Sequence, residues 1–248
     1  MSGALELIPV PGLPEIAEGD DLAALIAEAA RLADGDVVAV AQKVVSKAEG
    51  RRRLLAEVAA GERARELAAG LDKDPALVEL VLAESRRIVR AERVLIVETT
   101  SGLVCANAGI DSSNAGAGGE VLLLPADPDA SARRLRAAIE AATGAHIAVV
   151  ITDSFGRPWR VGQSEVAIGC AGIDPLDDWR GRPDRDGRVL AATEIAIADE
   201  IAAASDLVRD KAAGLPVVIV RGLGERVIAE DGPGAVALRR AEAEDLFR

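Results

Sequence analysis

The sequence predicts a mixed α/β protein, and three observations support this fold class. Short apolar runs rich in Val and Ile alternate with stretches of helical periodicity along the 248 residues. Half of the residues are hydrophobic and 28% are charged, which is typical of a globular chain and not of a disordered one. Pro, Gly and Ser form no linker that divides the chain, so we treat residues 1–248 as a single unit.

In the first part of the chain, turn residues separate the predicted elements. Asp20 is a plausible N-cap for a helix whose apolar residues, Leu22 to Leu32, recur at helical spacing. Gly35 ends that helix, and the apolar run after it is typical of a buried strand. The elements predicted here are strand 5–10, helix 21–32, strand 37–41, helices 63–69 and 76–88, and strand 93–99.

The second part of the chain follows the same alternation, with two exceptions. Apolar runs and helical periodicity predict strand 120–124, helix 130–142, strand 147–152, helix 192–208, strand 217–220 and helix 235–246. Segments 106–119 and 153–188 match neither pattern. Loops of such length in a compact protein are usually functional or disordered, and the second contains both tryptophans and several arginines, which favours an ordered loop.

Charge and composition exclude several classes of function. The formal net charge of −12 is unsuited to general binding of nucleic acid, because that binding requires the neutralisation of phosphates. Apolar runs fall short of the roughly 20 residues that span a bilayer, and residues 1–11 lack the features of a signal peptide. We therefore expect a cytoplasmic protein without a membrane partner. Cys105 and Cys170 are too few for a disulfide framework and are predicted to be buried core residues.

The single histidine, His146, narrows the possible chemistry. Zinc motifs with two histidines are excluded, and a Ser-His-Asp triad would have to use His146. A Gly-Lys pair is missing, so the sequence has no Walker A loop. Catalysis is therefore expected to depend on carboxylates, metal ions, Lys and Arg.

Two segments carry candidate ligands for a metal ion. Asp111 and Asn114 lie three residues apart in a Gly-rich segment, where they would either ligate a hard cation or form an Asx-turn. Asp153 and Ser154 follow the most apolar predicted strand, at the end where α/β sheets bind ligands. They offer a carboxylate and a hydroxyl to a divalent metal, and the alternative is a solvated turn.

Three basic segments could bind an anion. Arg157 and Arg160 follow Asp153 and could contact a phosphate, while the arginines of 180–188 form either an anion-binding loop or a self-paired solvated loop. Lys43 and Lys47 follow strand 37–41 and would share one face of a helix. From spacing alone, the sequence predicts an enzyme that uses a divalent metal and a phosphorylated ligand.

Six ordered segments together resemble the coenzyme F420-0:L-glutamate ligase family. They are LPEIAEGDDL (13–22), QKVVSKAEGR (42–51), NAGIDSSN (107–114), ITDSFGRPWR (151–160), AIGCAGIDPLDDWRGRPDRDGR (167–188) and ADEIAAASDLV (198–208). The resemblance covers nearly the whole chain. Some relatives carry a further C-terminal flavin-dependent domain, and this chain resembles the stand-alone ligase form.

The resemblance implies a fold, an activity and partners. The family joins L-glutamate to the lactate carboxyl of a deazaflavin precursor, coenzyme F420-0, uses GTP, and then adds further γ-linked glutamates. Its members form two-domain α/β monomers that associate as an intertwined homodimer. The reaction requires Mg or Mn, and two ions are expected.

The resemblance also assigns roles to residues. Asp111 and Asp153 correspond to metal ligands, Ser154 to a second-metal ligand where relatives have Thr, and Asp210 to a further one. Asp111, Asp153 and Lys47 are the expected catalytic residues. The expected GTP contacts are Leu13, Pro14, Glu15, Ile16, Gln42, Lys47, Asn114, Val208, Arg209, Asp210, Lys211, Ala212, Ala213, Gly214 and Leu215. Because the three ligands of the reaction are anionic, a basic pocket is expected, with candidates Arg157, Arg160, Arg182, Arg185 and Arg188.

A second function class remains open at this point. The chain could be a nucleotide- and metal-binding protein that kept the fold without the ligase activity. Intact Asp111, Asp153 and Lys47 favour the ligase, whereas Gln42 replaces a residue that is often Ser in relatives.

Overall fold

The computed structural model describes residues 4–112, 119–210 and 213–245. It is a mixed α/β structure, as predicted. The strands are β1 (Glu6–Pro9), β2 (Val37–Ala41), β3 (Arg52–Leu54), β4 (Ser85–Glu92), β5 (Val94–Thr99), β6 (Val104–Ala106), β7 (Glu120–Leu122), β8 (Ala148–Arg157), β9 (Arg160–Ala171), β10 (Asp177–Asp178), β11 (Glu194–Ile195) and β12 (Val217–Arg221). The helices are α1 (Leu22–Ala29), α2 (Gln42–Ala48), α3 (Glu62–Leu71), α4 (Pro75–Ala83), α5 (Pro128–Thr143) and α6 (Ile197–Asp206).

A five-stranded sheet in the order β1-β12-β2-β8-β9 forms the centre of the fold. Strands β2 and β8 are parallel, and the other neighbours in this sheet are antiparallel. The central strands are fully buried runs of Val, Ile and Ala, because helices cover both faces of the sheet. This explains why strands 37–41 and 217–220 were predicted almost to the residue.

Alternate residues of the sheet contribute to two apolar layers. Val38, Val40, Val149 and Ile151 pack with α1, α2 and α5 on one face, which we call the α5 face. Their sequence neighbours pack with α6 on the opposite face, the α6 face; these are Val37, Ala39, Ala148 and Val150. The same alternation continues along β8 after Ile151, so it sets which of the two faces each polar side chain there points to.

A third apolar cluster lies outside the central sheet. It joins α3 and α4 to residues of β5, to Ala108 and Ile110, and to Val121 and Leu123. Two small antiparallel sheets, β3-β7 and β4-β5-β6, belong to this region. Asp111 is fixed at its edge, since its backbone exchanges two hydrogen bonds with Leu122.

The predicted loop 153–188 is wrong in its first half. Strand β8 continues to Arg157 and pairs with β9 in a long antiparallel hairpin, so Asp153 lies within a strand and not at its end. Polar side chains occupy both faces of the hairpin where it borders a cleft, which removes the period-two pattern on which a strand prediction depends.

Three predicted helices differ from the structure. Helix α4 ends at Ala83, and 85–92 is a strand paired with β5. Helix α6 begins only at Ile197, because Glu194–Ile195 pairs with Asp177–Asp178. Segment 235–246 forms only short 3-10 turns in its described part, Ala235–Leu238 and Glu242–Glu244.

The N-cap of α1 is Asp21, and Asp20 instead accepts a hydrogen bond from the Ala17 backbone. Cys105 and Cys170 are both buried, as predicted. In the described ranges of the chain, we find no helix of the length and apolarity that would cross a bilayer.

Candidate functional site

An open cleft of about 2080 Å³ borders the ends of β2 and β8. Small-molecule sites usually have volumes of about 300–1,000 Å³, so this cleft has room for more than one ligand of nucleotide size. It is lined by residues from β4, β5, β6, β8, β9 and α2, and from the segments before α1, after β6 and after α6. The predicted site residues that line it are Leu13, Pro14, Glu15, Ile16, Gln42, Lys47, Asp111, Asp153, Ser154, Arg157, Arg209, Asp210, Gly214 and Leu215.

Helix α2 places two lysines in the cleft, one turn apart, as the hypothesis of a helix at this point requires. Lys47 donates a short hydrogen bond to Glu15, and the same carboxylate lies 3.6 Å from Arg52. The hydrogen bond and the positive charge of Lys47 lower the pKa of the exposed Glu15. The Lys47 side chain is therefore held at the cleft wall by a surface carboxylate that an anionic ligand could displace.

Lys43 forms an ion pair with Asp111, with 2.6 Å between Nζ and Oδ2. Both residues also border a small pocket with Lys47 and Arg52. With Glu15 included, three cations (Lys43, Lys47 and Arg52) face three carboxylates (Glu15, Asp111 and Glu120), so the formal charges of this corner balance. An anionic ligand that displaced the exposed Glu15 would meet three cations beside the two remaining carboxylates, which is a local excess of positive charge.

Gln42 is buried, and its amide is engaged within the protein. Its Nε2 donates to the Ser46 hydroxyl at 2.5 Å and to the Leu123 carbonyl at 3.3 Å. The side chain thereby connects α2 to the segment after β7. Gln42 borders the cleft, and its predicted contact with the nucleotide stays a prediction.

Asp153 and Ser154 are adjacent in β8 and point to opposite faces of the hairpin. Asp153 pairs across the strands with Val166, which packs on the α5 face, and its charge acts on the Cys105 thiol. Ser154 pairs with Glu165 and donates to it at 2.5 Å. The two side chains therefore face different parts of the cleft, and the expectation that Asp153 and Ser154 ligate separate ions stays a prediction.

Ser154 belongs to a buried polar cluster. The other carboxylate oxygen of Glu165 accepts from Arg209 Nη1 at 3.2 Å, and the same nitrogen lies 2.8 Å from the Thr152 hydroxyl. Arg209 also donates to the Ala39 carbonyl at 3.4 Å. Burial lowers the pKa of Arg209, and the charge of Glu165 opposes this effect. The cluster thus connects β2, β8 and β9 to the segment after α6.

The structure does not place every predicted site residue at this cleft. Asn114, Lys211 and Ala212 lie outside the described residues. Some predicted site residues are described by the structure but do not line the cleft. They are Arg160, Arg182, Arg185, Arg188, Val208 and Ala213. Arg182 lies over the Trp179 ring at 5.4 Å and near Asp177, so part of its surface is used within its own loop. A role for these arginines in substrate binding stays a prediction.

The donor set fits a hard divalent cation, because Asp111, Asp153, Ser154 and Asp210 all supply oxygen to the same cleft. Among residues 4–112, 119–210 and 213–245, no three His, Cys, Asp or Glu side chains form a cluster that could hold a metal ion. Magnesium commonly binds through one or two carboxylates together with the phosphates of a substrate. The residues present are compatible with that type of site.

Glu165 and Thr152 were not among the predicted site residues. The sequence did contain a signal for the strand that carries Glu165. The apolar run from Val166 to Ala171 follows a turn with glycines and is typical of a strand that returns beside β8. Lys43 was predicted to share one face of a helix with Lys47 but was not assigned to the site. Its position one turn before Lys47 already placed both on one face of α2.

Cys105 lines the cleft, but its thiol is not poised to act as a nucleophile. Burial raises the pKa of Cys105 to about 12, and the nearby charge of Asp153 adds to this rise. Since the thiolate is the reactive form, we expect native protein at pH 8 to resist iodoacetamide, and both cysteines to react after denaturation. Mass spectrometry of the labelled peptides measures this. Rapid labelling of Cys105 in the native protein would show an accessible nucleophile in the cleft.

Comparison with known proteins agrees with the resemblance found in the sequence. The family model described as F420-0:Gamma-glutamyl ligase matches residues 12–222. A protein of Halobacterium salinarum named Coenzyme F420:L-glutamate ligase is 52% identical over 219 residues, which cover 86% of this chain and 85% of that protein. Proteins of the same name from Archaeoglobus fulgidus and Methanopyrus kandleri are 45% and 46% identical, over 98% of this chain and 96% and 98% of their own lengths. The chain therefore belongs to the F420-0:gamma-glutamyl ligase family.

Proposed function

We propose that this protein is a GTP-dependent ligase that joins L-glutamate to coenzyme F420-0 and then adds further γ-linked glutamates. The observation that carries the proposal is that lysines and carboxylates suited to phosphoryl transfer line one cleft in a chain of this family. The volume of the cleft supports the binding of a nucleotide beside a second large ligand.

The reaction follows from the chemistry of the groups. A carboxylate is a poor acylating agent at neutral pH, so it must first be activated. In the proposed reaction, a carboxylate oxygen of the precursor attacks the γ-phosphorus of GTP and the bond to the β-phosphate oxygen breaks. The glutamate amine then attacks the acyl carbon, loses a proton and displaces phosphate. The products are an amide, GDP and inorganic phosphate.

Phosphoryl transfer requires positioning and charge neutralisation more than a protein nucleophile. In the proposed site, Lys47 and Lys43 neutralise phosphate oxygens, and Arg157 contributes a further positive charge at the edge of the cleft. Asp111, Asp153, Ser154 and Asp210 would hold Mg or Mn. When bound, such ions would neutralise the negative charge on the phosphate oxygens.

The direct test is incubation of the protein with the precursor, L-glutamate, GTP and Mg or Mn. Mass spectrometry should detect product masses that increase by one glutamyl residue at a time. If GTP and the metal bind but no glutamyl product forms, the chain is a nucleotide- and metal-binding protein that kept the fold. The same reaction with ATP tests the preference for GTP.

Lys47→Ala should lower kcat/KM for GTP by about 10- to 100-fold, because it removes a charge-assisted contact with phosphate. The melting temperature should change little, since the partner of Lys47 is the exposed Glu15. Lys73→Ala, which removes a lysine that does not line the cleft, is the matched control. Unchanged kcat/KM in Lys47→Ala would remove this residue from the site.

The resemblance also implies a two-domain monomer in an intertwined homodimer, and we keep both features as proposals. Size-exclusion chromatography with light scattering tests the dimer. A mass of 25.6 kDa in solution, which is that of one chain, would contradict it.

A further inference from the structure

We propose that Glu165 is a positioning residue of this cleft, which acts through Ser154 and Arg209. One carboxylate oxygen accepts the Ser154 O–H at 2.5 Å, and the other accepts Arg209 Nη1 at 3.2 Å. Glu165 and Arg209 are 6% and 9% exposed. The inference rests on the proposed function, because it assigns a role to the same site.

The hydrogen bond to Glu165 fixes the orientation of the Ser154 hydroxyl. A serine hydroxyl has one O–H donor and two lone pairs. When its hydrogen points to Glu165, the lone pairs point away from the carboxylate, and the oxygen can act as a ligand towards the cleft that Ser154 lines. A side chain that fixes a ligand from behind in this way commonly affects metal affinity by about 10- to 100-fold.

Arg209 gains a counter-charge from the same carboxylate. A buried guanidinium without a carboxylate partner would be costly, because burial disfavours the charged form. In the described part of the chain, the buried Nε of Arg209 has no hydrogen-bond acceptor, although the Nη atoms are bound by Glu165, Thr152 and Ala39. The guanidinium is thus held by β2, β8 and β9, in the segment that leads to Asp210.

A β-bulge directs Glu165 to this side of the hairpin. Ile151 pairs with Gly169 and Thr152 with Ala167, so β9 has one extra residue at Ile168. A shift of one residue exchanges the two faces of a strand. Without the bulge, Glu165 would share the face of Ala171, which packs in the α5 layer, and could not reach Ser154.

Two contacts maintain that bulge. Asp199, at the start of α6, accepts a hydrogen bond from the Ala167 backbone at 2.8 Å. Gly169 lies against the first turn of α5, where a Cβ would be 2.4 Å from the Pro128 backbone. Residues of two helices thus contact β9 on both sides of the bulge that brings Glu165 to Ser154 and Arg209.

The test is a double-mutant cycle with Glu165→Gln and Ser154→Ala, measured without turnover. The readouts are the Kd of Mn²⁺ in the presence of GDP, by electron paramagnetic resonance, and the Kd of a fluorescent GDP analogue. We expect each single variant to weaken Mn²⁺ binding by about 10- to 100-fold. For Mn²⁺, the double variant should bind no more weakly than the weaker single variant, because Glu165 acts on the metal site through Ser154. Ser164→Ala, which removes the neighbouring hydroxyl of β9, is the matched control.

Glu165→Gln leaves a buried cation and could impair folding. The variant Glu165→Gln with Arg209→Gln removes both charges together and should keep a cooperative melting transition while binding Mn²⁺ and GDP weakly. Ser154→Ala leaves the ion pair intact and tests the proposal on a folded protein in any case.

Three results would overturn the positioning role. They are wild-type affinity in Ser154→Ala, wild-type affinity in the charge-free pair, and effects of Glu165→Gln and Ser154→Ala that multiply in the double variant. A loss of melting temperature without any change in Kd would show a purely structural role. If the wild-type protein binds Mn²⁺ and GDP but forms no glutamyl product, the proposed ligase function fails separately. Wild-type protein that binds neither would overturn both.

Discussion

Asp153→Asn is expected to lower kcat for ligation by roughly 100-fold or more, because it removes the negative charge from an oxygen that would hold the cation. The substitution preserves the size of the side chain, and Asp153 is only partly buried in β8. We therefore expect the melting temperature to stay within a few degrees of that of the wild type. Steady-state kinetics of glutamyl transfer and thermal unfolding measure the two quantities.

The matched control for Asp153→Asn is Asp72→Asn. Asp72 is exposed and adopts a left-handed conformation at the C-terminus of α3, which Asn tolerates. The control should leave kcat unchanged. A value of kcat for Asp153→Asn within about threefold of the wild type would remove Asp153 from the catalytic centre.

Arg136→Met is expected to lower the free energy of unfolding by about 3 kcal/mol or more. Arg136 is buried in α5 and donates to the carbonyls of Ile147, Ile228 and Ala229 and to the Asp231 carboxylate, all at 2.9–3.0 Å. These contacts fix segment 228–231 to the core, and Met leaves the carbonyls without that donor. Urea-induced unfolding measures the change.

Arg134→Met is the matched control on the same helix. Arg134 is exposed and pairs with Glu49, so its loss should cost at most about 1 kcal/mol. Equal destabilisation by the two variants would contradict the structural role of Arg136.

The central strands could be predicted because their signal is local. Strands β2 and β12 are buried on both faces, so their sequences are continuous apolar runs. Helix α5 was predicted because periodic apolar residues coincide with Gly144 at its C-terminus, where the backbone is left-handed. Each of these signals lies within the element itself.

The C-terminal segment shows why other elements could not be predicted. Residues 235–246 have the apolar spacing of a helix, but the backbone N–H groups of Ala235 and Val236 donate to the buried Asp129 carboxylate. The same carboxylate accepts from Cys170 in β9. The chain is thus held by a residue about a hundred positions away, and local periodicity contains no information about that contact.

The candidate site likewise contains residues that local sequence predicts and residues that only tertiary contacts bring into place. Lys47, Asp111 and Asp153 lie in recognisable segments, and the structure brings all three to one cleft. Glu165 reaches Ser154 only through the bulge at Ile168, which depends on contacts with α5 and α6. The arginines at 182, 185 and 188 matched the chemistry of an anion site, but their loop does not border the cleft. Residue type indicated the candidate residues, and tertiary contacts determine which of them line the cleft.

The central claim is that this cleft activates a carboxylate by phosphoryl transfer before an amine attacks it. The most direct measurement uses precursor labelled with ¹⁸O in the reacting carboxylate, incubated with L-glutamate, GTP and Mg or Mn. Mass spectrometry then follows the label in the products. The account predicts a glutamyl product together with inorganic phosphate that carries one ¹⁸O atom for each bond formed at that carboxylate. A glutamyl product formed at that carboxylate with no ¹⁸O in the phosphate, or no glutamyl product at all, would contradict it.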